Sequence, residues 1–419
     1  MARLLVFFPH NPHPARSGAH QRGLAVLAAL RELGYALTLA SSTVSSEVPW
    51  TAEARDYLAA TFGAQVEIYR ANRGDYRYIH YLRLAYQRLG RAAPINSSLN
   101  TPPGLRGWFA RLFAATQPAA VMLNYAYWDG LLTGAMQRQA NTLVDTLDLI
   151  SLHEHMRAAL APHFTQPPLS PATVPAAVLA EDYFDRLGLE ADPAEYRAFD
   201  RYSHCLAVTR TDAARIAAHT RRTQISHVPI TYPVQPITTD YTGPAIFPTG
   251  PNPFNIQGFL HFVGRALPQV RAAAPDFALH VTGTICAALA PAPGIVLRDY
   301  VASLRQLYTE AAFMICPVLG KTGQQVKIVE AMAHGLPVVA TRAAAEGSPI
   351  EHGVNGLVAQ DAAELGEHTL RLWHDRDLCR RLGQRAHALI AAEYSTPQLA
   401  RRLAPLVSAR GQRAAGITA

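Results

Sequence analysis

The sequence predicts an α/β protein built from two doubly wound domains, each with a parallel sheet, and three observations carry that prediction. Short apolar runs alternate with amphipathic stretches of helical period almost throughout, the pattern of parallel strands covered on both faces. The pattern breaks from Ile230 to Pro244 into Thr, Tyr, Pro and Gly, which marks a linker between two halves that share architecture without sequence repetition. A chain of 419 residues, 49% hydrophobic and 16% charged, has enough apolar material for two large cores. The predicted domains are 1–232 and 233–395, followed by a helix and tail over 396–419.

Each element follows from its local signal. Arg3–Pro9 is the opening strand, and a loop runs from His10 to Gly18. A helix then carries Val26, Leu30 and Leu33 at i, i+4, i+7, and Gly34 stops it. Tyr35–Ala40 is the next strand, with further strands at Gln65–Tyr69, Ala119–Asn124, Thr142–Asp145, His204–Val208 and Gln224–Val228. Arg70 to Pro103, rich in Arg, Tyr, Asn and Pro, reads as loops and a helix. Pro162–Pro175, with five prolines, reads as a loop. Alternation restarts after the linker with a strand at Ala245–Pro248 and a helix at Asn255–Ala274. Strands Phe277–Gly283 and Gly294–Leu297, a helix at Ser303–Thr309 and a strand at Ala312–Pro317 come next. One more helix precedes the strand Pro337–Thr341, and helices dominate after Asp361.

Composition narrows the class of protein. Cys205, Cys286, Cys316 and Cys379 lack paired spacing, which argues for a reducing compartment and against a zinc site or a disulfide framework. The opening apolar run is too short for a signal peptide, and no run approaches the roughly 18 apolar residues of a membrane span. The net charge of +7 suits nucleic acid, anionic lipid or phosphorylated partners. No helix-turn-helix, zinc module or aromatic-basic module is present, so nucleic acid is not an expected partner. These features predict a cytoplasmic protein, with peripheral contact at the inner membrane face as an option.

The most informative stretch is Gly320-Lys-Thr-Gly-Gln-Gln-Val-Lys-Ile-Val-Glu-Ala-Met-Ala-His-Gly-Leu-Pro-Val-Val-Ala-Thr341. It reads as a glycine-containing loop, a helix from Thr322 or Gly323 to His334, a turn at Gly335 and a buried strand. Val326, Val329 and Ala333 share one face, and Lys327, Glu330 and His334 share another. A helix start offers unpaired N–H groups and partial positive charge, so Thr322, Gly323, Gln324 and Gln325 could receive a phosphate. Lys327 adds a full charge, and Glu330 can accept hydrogen bonds from a diol such as ribose. Without further context, Lys327 and Glu330 are equally an ordinary i, i+3 ion pair.

This ordered segment resembles the signature of the retaining nucleotide-sugar glycosyltransferases of family 4, the glycosyl transferases group 1. Their motif runs Glu-x7-Glu, then Ala-Met-Ala-x-Gly-x-Pro-Val-Val-Ala. The resemblance implies the GT-B fold: two facing Rossmann-like domains with an active-site cleft between them and a last helix, about Thr396–Ala409, that crosses back onto the first. It implies a nucleotide-diphosphate sugar as donor substrate, no cofactor, no metal, and a glycan, lipid-linked or small-molecule acceptor. The chain departs from the motif at its first glutamate, where Thr322 stands. Lys321-Thr-Gly-Gln-Gln-Val-Lys327 resembles sub-branches that carry Gly-Thr-Gly and basic residues there.

The remaining motifs add candidates. In Ser17-Gly-Ala-His-Gln-Arg22, Gly18 would let the backbone approach the donor diphosphate, as a glycine does here in the family. His20 and Arg22 are candidates for the acceptor side. Ser17 is also a natural helix cap and His20 a plain surface residue. Tyr125 and Tyr127, at a strand end, either stack on a sugar or pack between domains. Thr142-Leu-Val-Asp-Thr-Leu-Asp148 resembles an Asp-Thr-His-Asp element of related transferases, with Leu147 in place of the histidine. Asp145 or Asp148 would then take over its role, or Asp148 caps the next helix. Asn255 reads as an N-cap after Gly250-Pro-Asn-Pro. The Arg and Lys that many relatives carry here are missing, and Lys321, Lys327 or Arg298 could compensate. The loop near Val301 sits where relatives read the nucleotide base.

The resulting expectation is a retaining, metal-independent glycosyltransferase in which Lys327, with Asp145 or Asp148, carries the chemistry. Two alternatives stay open: a catalytically silent protein of the same fold that binds a nucleotide sugar or a glycan, and a nucleotide-sugar epimerase. A Rossmann oxidoreductase is disfavoured because no Gly-x-Gly-x-x-Gly follows the first strand.

Overall fold

The computed structural model describes residues 2–15, 17–44, 48–91, 93, 99–299, 301, 303–320 and 323–408. Two compact units emerge. The first takes the described residues through 151, then 191–229, then 396 onward; the second takes 152–190 and 230–395.

The first unit is built on a seven-stranded sheet of β1 (Arg3–Phe7), β2 (Ala36–Ser42), β3 (Ala64–Tyr69), β4 (Ala120–Asn124), β5 (Asn141–Thr146), β6 (His204–Ala207) and β7 (Gln224–His227). The strand order is β3-β2-β1-β4-β5-β6-β7, and every neighbouring pair is parallel. The second unit holds β8 (Ala245–Pro248), β9 (Leu279–Thr282), β10 (Ile295–Arg298), β11 (Phe313–Cys316), β12 (Val338–Thr341) and β13 (Leu357–Ala359). Their order is β10-β9-β8-β11-β12-β13, again all parallel. Helices cover both faces, so central strands such as Leu4–Phe7 and Phe313–Cys316 are buried continuous apolar runs rather than alternating ones. In each sheet the order reverses beside the first strand, between β1 and β4 and between β8 and β11. Loops leaving the carboxyl ends of those strands diverge there, which leaves room for a ligand.

Three differences from the sequence reading have physical causes. Residues 152–190 group with the second unit, not with an unbroken first domain through 232. Leu169 donates to Ala288 O (2.8 Å) and accepts from Ala290 N (2.8 Å), and Gln257 Nε2 donates to Val178 O (2.8 Å). This proline-rich stretch has no period of its own, and only contacts distant in sequence place it. The helix expected over 255–274 is Pro253–His261, one π-turn at Phe262–Ala266, then Leu267–Ala273. Pro268 lacks an N–H and would clash with a regular preceding turn, and the wider turn accommodates it. The helix expected within Arg70–Pro103 is Arg73–Arg88, and two helices to which the sequence reading gives no element, Ala52–Phe62 and Pro103–Thr116, flank it.

The helix Thr396–Val407 buries Leu399, Leu403 and Val407 at four-residue spacing. They join Val26, Leu27 and Leu30 of the helix Gly18–Glu32 in one core cluster of the first unit.

Candidate functional site

In the second unit, β11 is fully buried and its loop reaches Gly323, whose φ of +64° belongs to glycine's left-handed region. That conformation ends any helical path, so the helix begins at Val326 and runs to Ala333, later than expected. Gln325 is its N-cap, and no side chain caps it. The expected backbone donors at Gly323–Gln325 are therefore replaced by those of the first helical turn, Val326 onward. Gly335, at φ +75°, ends the helix as predicted, with Leu336 N donating to Ala331 O at 3.0 Å. Lys321 and Thr322 lie outside the described residues, and Val301 lies between residues 300 and 302, which are also outside them.

Lys327 has unusual surroundings. Its Nζ donates to Thr249 Oγ1 (2.9 Å) at the end of β8 and to Asn255 Oδ1 (2.7 Å), and stands 4.8 Å from the Phe247 ring centroid. The residue is half-buried, but its ammonium end is enclosed. Burial lowers its pKa, and among the described residues no carboxylate forms an ion pair with it. Asn255 is thus a ligand of Lys327 and donates to Gly250 O (3.1 Å), while Asn252 serves as the helix cap. The i, i+3 pairing of Lys327 with Glu330 does not form.

Glu330 is 6% exposed. Its Oε1 accepts from the Tyr232 hydroxyl at 2.7 Å, and the Tyr308 hydroxyl also faces it. Burial pushes its pKa up, and the two phenols pull it part of the way back. The Tyr308 ring stacks on His334 at 4.5 Å and 17°, and His334 Nδ1 lies 2.9 Å from Glu330 O. Gln324 accepts from Ile230 N through Oε1 at 2.8 Å, and its buried Nε2 has no hydrogen-bond partner among the described residues. The backbone also closes in here. A Cβ on Gly283 would meet Thr249 O at 2.1 Å, so only glycine fits between the ends of β8 and β9.

The first unit gathers the other candidates at its own strand ends. Gly18 is the first residue of its helix, and Ser17 Oγ caps it by accepting from His20 N (3.3 Å). His20 is buried, its ring 6.4 Å from those of Phe8 and His10. Arg22 and Asp145 are both 0% exposed and satisfy each other, with Nε–Oδ2 and Nη2–Oδ1 both at 3.0 Å. Arg22 also donates to Pro229 O at 2.8 Å. The pair therefore braces β5 against the opening helix and presents no open charge for the acceptor or catalytic roles read from sequence.

Tyr125 follows β4 with φ +66°, a costly conformation for a large residue, and its N–H donates to Asp145 O at 2.9 Å. Burial, then Asp148 and Asp145, raise its hydroxyl pKa. Tyr127 is close by, at 6.2 Å between ring centroids. Asp148 is half-buried, and Leu147 is 8% exposed. At the start of the helix after Asp148, the Glu195 carboxylate accepts from Ile150 N (2.8 Å) and Ser151 N (3.0 Å).

The structure thus assembles Lys327, Glu330 and Gln324 in the second unit and Tyr125, Tyr127 and Asp148 in the first. Sequence reasoning missed Thr249, Tyr232 and Tyr308, and it misassigned Asn255. Of the neighbours around Glu330, His334 alone could be placed from the sequence, by its helical spacing from Lys327 and Glu330. Among the described residues, no group of three or more His, Cys, Asp or Glu is placed to hold a metal, and no helix is long and apolar enough to cross a membrane.

Residues 245–375 match the family described as Glycosyl transferases group 1. That span includes Thr249, Asn255, Lys327 and Glu330. The chain is similar in fold to sucrose-phosphate synthase from Thermosynechococcus elongatus, at 14% identity over 96% of this chain and 98% of that one, with a TM-score of 0.63. It is similar to TarM of S. aureus, at 9% identity over 98% and 99%, TM-score 0.65. A third likeness is to HepE of Anabaena, solved with UDP and glucose, at 14% identity over 97% and 99%, TM-score 0.60. At such identities the likeness is one of fold, the GT-B arrangement of two parallel α/β units. A comparison with curated protein sequences gives no match.

Proposed function

We propose that the protein is a retaining glycosyltransferase that moves a sugar from a nucleotide-diphosphate donor to an acceptor hydroxyl without a metal. One observation carries the reading: Lys327 is an enclosed cation held by two neutral oxygens and an aromatic face, with no carboxylate partner among the described residues. A buried charge without a counter-ion is expensive, and a diphosphate would supply the missing one.

In this proposal Lys327 and the first N–H groups of Val326–Ala333 hold the donor's phosphate oxygens and stabilise the charge that grows as the glycosidic bond breaks. The departing phosphate oxygen takes the acceptor proton on the same face. Glu330 accepts from the ribose diol, and the unpartnered Gln324 Nε2 donates to the donor. Within the first unit, Gly18 is assigned to the donor, Tyr125, Tyr127 and His20 to the acceptor and Asp148 to the chemistry, with Asp145 O holding the Tyr125 N–H. Among donors, UDP-sugars are the first to test, because HepE was solved with UDP-glucose.

The acceptor class is a glycan, a lipid-linked sugar or a small molecule. We place peripheral membrane contact on the helix Arg73–Arg88. Its outer face carries Arg73, Arg77, Arg83 and Arg88 with exposed Tyr76 (51%) and Tyr81 (61%), while the helix's one acid, Asp75, is buried. A cytoplasmic location follows from the same reading.

A second reading, a silent protein that only binds nucleotide sugar, is favoured by Leu147 where relatives have a histidine. Donor titrations and transfer assays on the purified protein separate the two. Binding with transfer or donor hydrolysis supports the enzyme, whereas tight binding with no turnover for any acceptor supports the silent form.

A further inference from the structure

Residues 230–241 form neither helix nor strand apart from a turn at their end, yet they follow the helix Val326–Ala333 along its length. Ile230 N donates to Gln324 Oε1 (2.8 Å), and the Tyr232 hydroxyl donates to Glu330 Oε1 (2.7 Å). Gln235 N donates to Ala333 O (3.1 Å), and the Tyr241 hydroxyl to Gly335 O (3.0 Å). The strap is itself tied down, since Tyr232 N donates to Tyr394 O at 3.0 Å and His387 Nε2 lies 2.7 Å from Gln235 O. Two of its four bonds to the helix segment end on backbone and fix register. The other two end on the side chains of Gln324 and Glu330.

We propose that this strap is a positioning element for donor binding, and that Tyr232 orients the Glu330 carboxylate toward the nucleotide ribose. The inference rests on the donor reading above. An enclosed carboxylate must have its lone pairs satisfied to stay ionised. The ionisable groups facing Glu330 are Tyr232 from the strap, Tyr308 from the helix Leu304–Glu310, and His334 on its own helix. None is a cation paired with it, so the phenols alone favour the ionised form. A carboxylate accepts at several lone-pair sites, so with Oε1 held by Tyr232 and the Tyr308 hydroxyl beside it, Glu330 keeps the capacity to accept from the diol. Loss of the Tyr232 hydroxyl would free the carboxylate to rotate and favour its protonation, and a protonated acid is a poorer acceptor.

The test uses the full-length Tyr232→Phe protein, titrated with UDP and 2′-deoxy-UDP by calorimetry between pH 5 and 9, with GDP and ADP and their 2′-deoxy forms in parallel. The expected result is about a tenfold loss of affinity for the ribonucleotide, with little change for the 2′-deoxy form. The acid limb of the binding curve should also move to higher pH. The ratio of the two affinities is taken on one preparation, so a partial loss of folded protein leaves it unmoved. Glu330→Gln is measured alongside. If Glu330→Gln loses ribose discrimination while Tyr232→Phe keeps it, the strap inference is overturned and the donor reading stands. If Glu330→Gln binds like the wild type, Glu330 is not in the donor site and both fail together.

Discussion

Each unit holds an enclosed cation near the carboxyl ends of its strands, Arg22 beside β5 and Lys327 beside β8, and their surroundings differ in kind. Arg22 in the first unit is wholly buried and meets a carboxylate, Asp145, through paired 3.0 Å contacts. Lys327 in the second is enclosed by Thr249, Asn255 and the Phe247 ring, all neutral. A buried cation with its counter-ion in place is part of the scaffold. One enclosed only by neutral groups can take its counter-ion from an incoming anion. The contrast teaches that burial alone does not identify a binding charge; the state of its partners does.

The largest effect should come from breaking the satisfied pair. Asp145→Ala leaves the Arg22 guanidinium buried and uncompensated, and chemical denaturation should show a loss of about 3–5 kcal/mol. A loss below 1 kcal/mol would mean that solvent reaches the pair and that the comparison is mistaken. Lys327→Met should behave in the opposite way: stability unchanged, or raised by up to about 1 kcal/mol, because a desolvated charge is removed. A clear destabilisation would make Lys327 a scaffold residue like Arg22.

Glu330 sharpens the contrast through pH. Burial raises its pKa in the fold, so the folded protein keeps a proton that the unfolded chain releases near the ordinary glutamate value. Its stabilising contribution is complete below that value and is lost as pH rises through the raised one. Glu330→Gln should flatten this part of the stability–pH curve, and an unaltered slope would place the titration elsewhere. Exposed cations complete the series. Arg77→Gln with Arg88→Gln should leave stability within about 0.5 kcal/mol but weaken cosedimentation with anionic vesicles roughly fivefold per arginine. Equal binding to neutral vesicles would remove the electrostatic contact.

The scaffold was legible in the sequence because doubly covered parallel strands must be apolar along their whole length. Val338–Thr341, Ala120–Asn124 and Phe313–Cys316 could be read almost to the residue. The turn at Gly335 was equally plain, since glycine and the following Pro337 leave the chain few options. What stayed hidden depends on partners far apart in sequence. Nothing in the sequence around Arg22 announces Asp145, and nothing near Ile150 announces Glu195 as the cap. Lys327 and Glu330 could be singled out by their shared helix face, but Thr249 and Tyr232, the neighbours that give them their character, belong to strand ends and irregular chain without period. The start of the helix at Val326 was misjudged because Gly323 was read as part of its first turn rather than as a left-handed residue that stops the helix short.

The most direct measurement is calorimetric titration of wild-type and Lys327→Met protein with UDP, GDP and ADP, each beside its nucleoside. A nucleotide diphosphate should bind the wild type far more tightly than its nucleoside does, and Lys327→Met should lose about a hundredfold of that affinity while melting no earlier than the wild type. Wild-type affinity in the Lys327→Met protein would contradict the claim that this enclosed ammonium awaits a diphosphate.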